Sequence, residues 1–233
     1  MHPYITIGDT RLSLYWMMFA VGAIGIIVLT LLRRKRYGFG IISSVLFSVL
    51  TVVLGLTGAK LLYIFENWKS TLESGITLGG VSFFGSVFLI PALMIPCGYL
   101  FKLKPKRSLD AVAPCVAVMI GFIRVGCFLN GCCGGWTTNS GFTWPTQAME
   151  SICDFMLLFF LLQLEKKQKF EGWLYPILLT SYSAYRFLIE FLRDTPRTSI
   201  GLANGHFFAI AGMIIGAIWL LILNHRKKSD IKS

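Results

Sequence analysis

The sequence predicts an all-α, polytopic membrane protein with about seven transmembrane helices, its N-terminus outside and its C-terminus cytoplasmic. Three observations carry that prediction. The 233 residues are 55% hydrophobic and only 14% charged. Several apolar runs exceed the roughly 20 residues that cross a hydrocarbon core. The basic residues cluster after every second run, on one side of the chain's expected path, which the positive-inside rule makes the cytoplasmic side. A soluble chain would alternate polar and apolar faces far more often.

In chain order the expected spans are Leu12–Leu32, Ile41–Phe65, Leu78–Phe101, Leu109–Phe128, Gln147–Leu164, Trp173–Leu192 and Leu202–Leu223. The leading "MHPYITIGDTR" is not a basic n-region and no small-residue cleavage site follows, so the first span is expected to be retained. Basic clusters at Arg33–Arg36, Lys102–Arg107, Lys166–Lys169 and the C-terminal "HRKKSDIK" follow spans one, three, five and seven. They hold fifteen of the 22 Lys and Arg, against Arg11, Lys69, Arg193 and Arg197 in the opposite loops. The net charge of +11 therefore suits an anionic inner leaflet, and nucleic acid is not an expected partner. Residues 1–233 read as a single integral-membrane domain without internal repeats.

Three cations remain, each inside an expected span: Lys60, Arg124 and Arg186. A cation at mid-helix costs roughly 2.5–3.5 kcal/mol even on a lenient scale, and one reading is that each snorkels to the headgroups. Depth favours another. At about 1.5 Å per residue, Lys60 lies about 9 Å below Glu66, Arg186 about 10 Å below Arg193, and Arg124 about 21 Å above Asp110. All three then share the outer half of the bilayer, as members of one polar cavity. Tyr15 sits just inside the outer end of span one. Tyr182, Arg186 and Glu190 share a helix face, as do Gln147, Glu150 and Asp154. The acids are either charge partners of the arginines or members of the chemistry. A phosphate headgroup is the ligand expected for such a cavity, because guanidinium matches phosphate in a two-pronged geometry.

These residues fall within motifs. "LYWMMFAVG" (Leu14–Gly22), "GAKLLYIF" (Gly58–Phe65), "GGVSFFGS" (Gly79–Ser86), "LDAVAPCVAVMIGFIRVGCFLNG" (Leu109–Gly131), "WPTQAMES" (Trp144–Ser151) and "YRFLIEFLRD" (Tyr185–Asp194) occur in order along nearly the whole chain. The chain resembles bacterial prolipoprotein diacylglyceryl transferase in them, most specifically in the fourth and the last. That resemblance implies a multi-pass protein of the bacterial plasma membrane. It implies transfer of the diacylglyceryl group of phosphatidylglycerol to the lipobox cysteine of a preprolipoprotein, without a cofactor. It assigns catalytic roles to Arg124, Arg186, Tyr15 and Glu190, and substrate-binding roles to Lys60, Asn130, Gly131, Gln147, Glu150 and Arg193. The chain also departs from the family. Phe84 and Trp144 stand where the motifs have histidine, Cys127 where they have asparagine, and Lys60 where they have arginine. The outer segment at residues 129–146 is short where the family often carries a small head domain. Another acceptor is the alternative these departures leave open.

Cys127, Cys132 and Cys133 invite two further readings. As metal ligands their C-x4-C-C spacing lacks a C-x2-C pair, and His2, His206 and His225 are distant in sequence, so no metal is expected. A membrane thiol oxidoreductase needs a dithiol relay, which two adjacent cysteines supply poorly. The expectation is that all three pack a glycine-rich turn, while Cys97, Cys115 and Cys153 are buried in spans. "GMIIG" at Gly212–Gly216 is expected to mark a close helix contact. A transporter of anions is disfavoured, because no cation falls in the inner half of any span.

Overall fold

The computed structural model describes residues 4–7, 10–75, 82–167 and 171–232. The expected start of the third span at Leu78, the first residues of "GGVSFFGS", Lys169 of the third basic cluster and His2 lie outside the described residues. In chain order, an antiparallel hairpin of β1 (Tyr4–Ile7) and β2 (Thr10–Ser13) leads into α1 (Leu14–Tyr37) and α2 (Ile41–Glu66). The short α3 (Trp68–Ser74) precedes α4 (Phe83–Gly98), which ends in a 3-10 turn at Tyr99–Phe101. Then come α5 (Pro105–Asn130), α6 (Thr146–Lys167), α7 (Leu174–Glu190) and α8 (Asn204–Lys232).

Among the described residues six helices are long and apolar enough to cross a membrane: α1, α2, α4 with its 3-10 turn, α5, α6, and α8 as far as His225. The expected span Trp173–Leu192 folds instead as α7, with 17 residues. At about 1.5 Å per residue it reaches about 25 Å, less than a typical hydrocarbon core. Both of its ends have a cause. The Asp110 carboxylate accepts the backbone N–H groups of Gly172 at 2.6 Å and Leu174 at 2.9 Å, which fixes where the helix begins. Past Glu190 the chain turns, with the Leu192 N–H bonded to the Ile189 carbonyl and the Arg193 N–H to the Glu190 carbonyl. The first span also starts later than expected, because Leu12 and Ser13 belong to β2.

Helix α5 is the axle of the bundle. Of its most apolar window 72% is buried inside the protein, against 17% for α1. Without a hydrophobic drive between helices in lipid, close packing at small residues holds such a bundle together. A Cβ on Gly22 of α1 would lie 2.9 Å from the Met119 sulfur, and one on Gly126 of α5 would lie 3.3 Å from the Tyr15 backbone. Helices α2 and α4 touch at Gly58 and Gly85, where a Cβ on Gly58 would sit 2.8 Å from the Gly85 carbonyl oxygen. The "GMIIG" contact is present: Gly212 and Gly216 of α8 press against the Ser183 and Thr180 hydroxyls of α7. Of the three span cysteines expected to be buried, Cys115 is, while Cys97 and Cys153 are partly exposed.

At the other end of α1, Arg33 is not only a solvated loop charge. Its guanidinium forks onto Glu165 of α6 at 2.6 and 2.8 Å and bonds the Ala111 and Asp110 carbonyls of α5. Tyr37 donates a third bond to Glu165 at 2.5 Å. One buried acid thus ties α1 and α6 together, and Arg33 ties both to α5. The basic cluster begins inside the bundle.

The glycine crossings are testable. Gly85→Leu should lower the thermal unfolding temperature of the detergent-solubilised protein, by an overpacking cost of about 1–3 kcal/mol or more. Gly40→Ala, with open space around it, should leave that temperature unchanged. Equal stability of the two variants would contradict the close α2–α4 contact.

Candidate active site

Five charged side chains, from three helices and the turn after the last of them, meet at the Asn130 end of α5. Arg124 projects from α5, Glu150 from the first turns of α6, Arg186 and Glu190 from α7, and Arg193 from the turn after it. Glu150 is the hub. Its Oε2 lies 2.5 Å from Arg124 Nε, and its Oε1 lies 3.5 Å from Arg186 Nη1 and 3.4 Å from Arg193 Nη1. Glu190 pairs with Arg186 one turn earlier on α7, and lies 3.8 Å from Arg193 Nε. The Thr195 hydroxyl donates to Glu190 at 3.3 Å. Helical spacing makes this possible: Tyr182, Arg186 and Glu190 stack along one face, and Gln147, Glu150 and Asp154 along another.

All of this is enclosed. Arg124 is 3% exposed, Arg186 6% and Glu150 1%. Three guanidiniums against two carboxylates leave a positive charge among these ion pairs. Burial, reinforced by the Arg186 and Arg124 charges, pulls the Arg193 guanidinium below its ordinary pKa. The Arg124 guanidinium lies over the Phe83 ring at 4.8 Å and that of Arg186 over Phe84 at 5.7 Å. The Tyr182 hydroxyl and Arg186 Nε are buried, and among the described residues neither has a hydrogen-bond partner. Asp154, deeper along α6, accepts the Tyr185 hydroxyl.

The cationic cavity expected from the sequence separates into two parts. Beside the ion cluster, between α1, α2, α4 and α5, lies a cavity of about 400 Å³ with mainly apolar walls. Tyr15, Cys127, Cys132 and Cys133 line one end, and Ile26 and Cys115 the other. Those ends lie about 18 Å apart along α5, from the twelve residue steps that separate Cys115 and Cys127. Phe83 belongs to both parts, as a wall of the cavity and the ring beneath Arg124. The arginines stand behind the wall because the two glutamates draw them there.

The remaining expected residues divide. Tyr15 lies at the cavity end nearest the cluster. Lys60 follows the lining residue Ala59, and its ammonium lies over the Tyr63 ring at 5.1 Å. Asn130 is the last residue of α5, half-buried. Gly131 ends that helix with a left-handed φ of 71°, a conformation that favours glycine. Gln147 holds the following loop, donating its amide to the Cys132 carbonyl at 2.6 Å. Glu190 is walled by α8, where a Cβ on Gly205 would lie 2.5 Å from its carboxylate carbon, so it faces the arginines and not the cavity. Sequence reasoning did not find the apolar cavity or the role of Phe83. Phe83 lies inside the glycine-rich "GGVSFFGS" motif, and that was the available signal.

A family model described as prolipoprotein diacylglyceryl transferase matches residues 3–223. The chain belongs to that family. A relative named phosphatidylglycerol–prolipoprotein diacylglyceryl transferase 2, from Clostridium perfringens, is 34% identical over 241 residues, covering 93% of this chain and 93% of that protein. A phosphatidylglycerol–prolipoprotein diacylglyceryl transferase from Clostridium tetani is 32% identical over 237 residues, 92% of this chain and 94% of that protein. One from Clostridioides difficile is 27% identical over 236 residues, with 93% of each chain covered. Family membership thus spans both the ion cluster and the apolar cavity of this chain.

If Glu150 holds three arginines in place, Glu150→Ala should be strongly destabilising, by about 3–5 kcal/mol, because buried cations lose their counter-charge. Glu150→Gln, which keeps the shape, should cost less. Thermal unfolding in detergent reads both, and an alanine variant as stable as the wild type would show that the arginines do not depend on this acid.

Proposed function

We propose that this protein is a phosphatidylglycerol–prolipoprotein diacylglyceryl transferase of the bacterial plasma membrane. The carrying observation is the juxtaposition of a buried arginine cluster with a long apolar cavity, in a chain of this family. The reading has the acyl chains of phosphatidylglycerol occupy the cavity and its phosphate approach Arg124 and Arg186. The chain crosses the membrane seven times, with α7 as a short, protein-enclosed crossing. The N-terminus is outside and the basic clusters are cytoplasmic.

The reaction is a displacement at a glycerol carbon. The thiolate of the acceptor's lipobox cysteine forms a C–S bond, the C–O bond to phosphate breaks, and glycerol phosphate leaves with the electron pair. The thiol's proton passes to water or to the departing phosphomonoester, so the step balances without a redox partner. Fixed guanidiniums in a water-poor site stabilise the charge that develops on the leaving phosphate. Their two-pronged geometry and permanent charge fit that task better than an ammonium. Tyr15 lies where the headgroup would enter the cavity. Glu190 and Glu150 orient the arginines, and Arg193 adds charge at the same point. Lys60, Asn130, Gly131 and Gln147 shape the entrance. The surrounding bilayer supplies the lipid, and nucleic acid has no place in the reading.

A transferase with another acceptor is the second reading. Phe84, at a motif histidine position, is packed among Phe88, Tyr182 and Phe208 and offers no base.

The test is purified protein with labelled phosphatidylglycerol and a lipobox peptide, scored for a thioether-linked diacylglyceryl product. Arg124→Ala and Arg186→Ala should each reduce turnover at least about 100- to 1000-fold, as loss of a transition-state donor does. Lys at either position should restore little. Near-normal turnover in either alanine variant would remove that arginine from the chemistry. Transfer to a non-thiol acceptor in place of the cysteine peptide would favour the second reading.

A further inference from the structure

Cys127, Cys132 and Cys133 bring three sulfur atoms to the cavity end that Tyr15 also lines, all within 4.8 Å of one another. The spacing C-x4-C-C conceals this, because the chain folds back between them. Gly131 closes α5 in the left-handed conformation, and the Cys132 N–H returns to the Cys127 carbonyl at 3.1 Å. Gln147 pins the Cys132 carbonyl from α6 at 2.6 Å. Cys133 holds a φ of 62°, an uncommon conformation for a residue with a Cβ. Such strain persists only where its surroundings impose it, and it concentrates at functional sites.

Three sulfurs bound at about 2.3 Å to one ion stand about 3.8–4.0 Å apart in tetrahedral or trigonal geometry. The cluster is therefore within about 1 Å of a coordination site. Among the described residues no fourth His, Cys, Asp or Glu joins the group. Three protein ligands and one open position is the pattern of reactive zinc sites, in contrast to closed structural ones. Arg124, one helical turn before Cys127, places a fixed positive charge beside what would be an anionic metal–thiolate centre.

We infer that Cys127, Cys132 and Cys133 form a three-thiolate site for a Zn²⁺-class ion, with its fourth position open to the cavity mouth. The inference rests on the transferase reading for its consequence. There the acceptor thiol takes the fourth position. Its S–H bond breaks, a sulfur–metal bond forms, the proton goes to water, and no electron changes hands. The bound thiolate is the nucleophile. Its sulfur forms the C–S bond as the glycerol C–O bond to phosphate breaks, and glycerol phosphate leaves with that electron pair. The neutral thioether then gives up the fourth position to water. In this chain the ion then takes the place of a side-chain base.

Cadmium is a suitable probe, because thiolate-to-cadmium charge transfer absorbs in the ultraviolet. Chelator-stripped protein in detergent under a phosphine reductant should bind one Cd²⁺ per chain and show that band. Cys133→Ser alters only an exposed side chain and should weaken binding at least about tenfold, while the triple Ser variant should lose the band. A peptide carrying a lipobox cysteine should then raise the band by about a third, as a fourth thiolate joins three, and its serine counterpart should not. No band, or a band that survives in the triple variant, overturns the site. An unchanged band with the cysteine peptide overturns the fourth-ligand role. None of these readouts needs lipid or turnover. Protein that binds cadmium as described yet makes no diacylglyceryl thioether would refute the transferase reading and leave the metal site standing.

Discussion

One carboxylate, Glu150, organises the ion cluster at the Asn130 end of α5. It contacts guanidiniums from α5, from α7 and from the turn beyond α7, and it is almost wholly buried. A buried acid in that position does two things. It cancels enough charge for three arginines to exist inside a membrane protein, where an unpaired cation is costly. It also fixes their relative positions without saturating them, since three cations share it. Glu190 adds a second carboxylate from the α8 side. Three guanidiniums against two carboxylates leave the cluster with net positive character.

The second constraint is geometric. Helix pairs meet at glycine, as at Gly58 with Gly85 and at Gly126 with Tyr15, and these crossings bring α1, α2, α4 and α5 around a cavity without filling it. Phe83 and Phe84 start α4 at the point where the cavity meets the cluster, each beneath one guanidinium. Aromatic faces tolerate a cation that has little water. Apolar space and fixed charge thus adjoin across a single wall, which is the shape an anionic lipid requires.

Much of this was legible in the sequence, and the gaps have physical causes. Helices α1, α2, α5, α6 and α8 announce themselves by uninterrupted apolar runs, and Arg124, Arg186, Glu150 and Glu190 by charge where charge is expensive. The short α7 was overextended because Phe191 and Leu192 continue its apolar pattern, while its limits are set by a distant acid, Asp110, and a turn. The role of Arg33 was hidden for a similar reason: the sequence groups it with the basic residues that follow span one, and only the fold supplies Glu165. The three cysteines stand out together in the sequence, but their spacing does not show how close the sulfurs come, because the left-handed turn at Gly131 is not visible in spacing. The cavity was invisible, because empty space between helices leaves no periodic mark.

The most direct measurement is a structure of the protein in nanodiscs rich in phosphatidylglycerol. A lipid phosphate within hydrogen-bond reach of Arg124 or Arg186, with an acyl chain in the cavity between Phe83 and Cys115, is the predicted result. Lipid density confined to the outer surface of the bundle, with the ion cluster closed and the cavity unfilled, would contradict it.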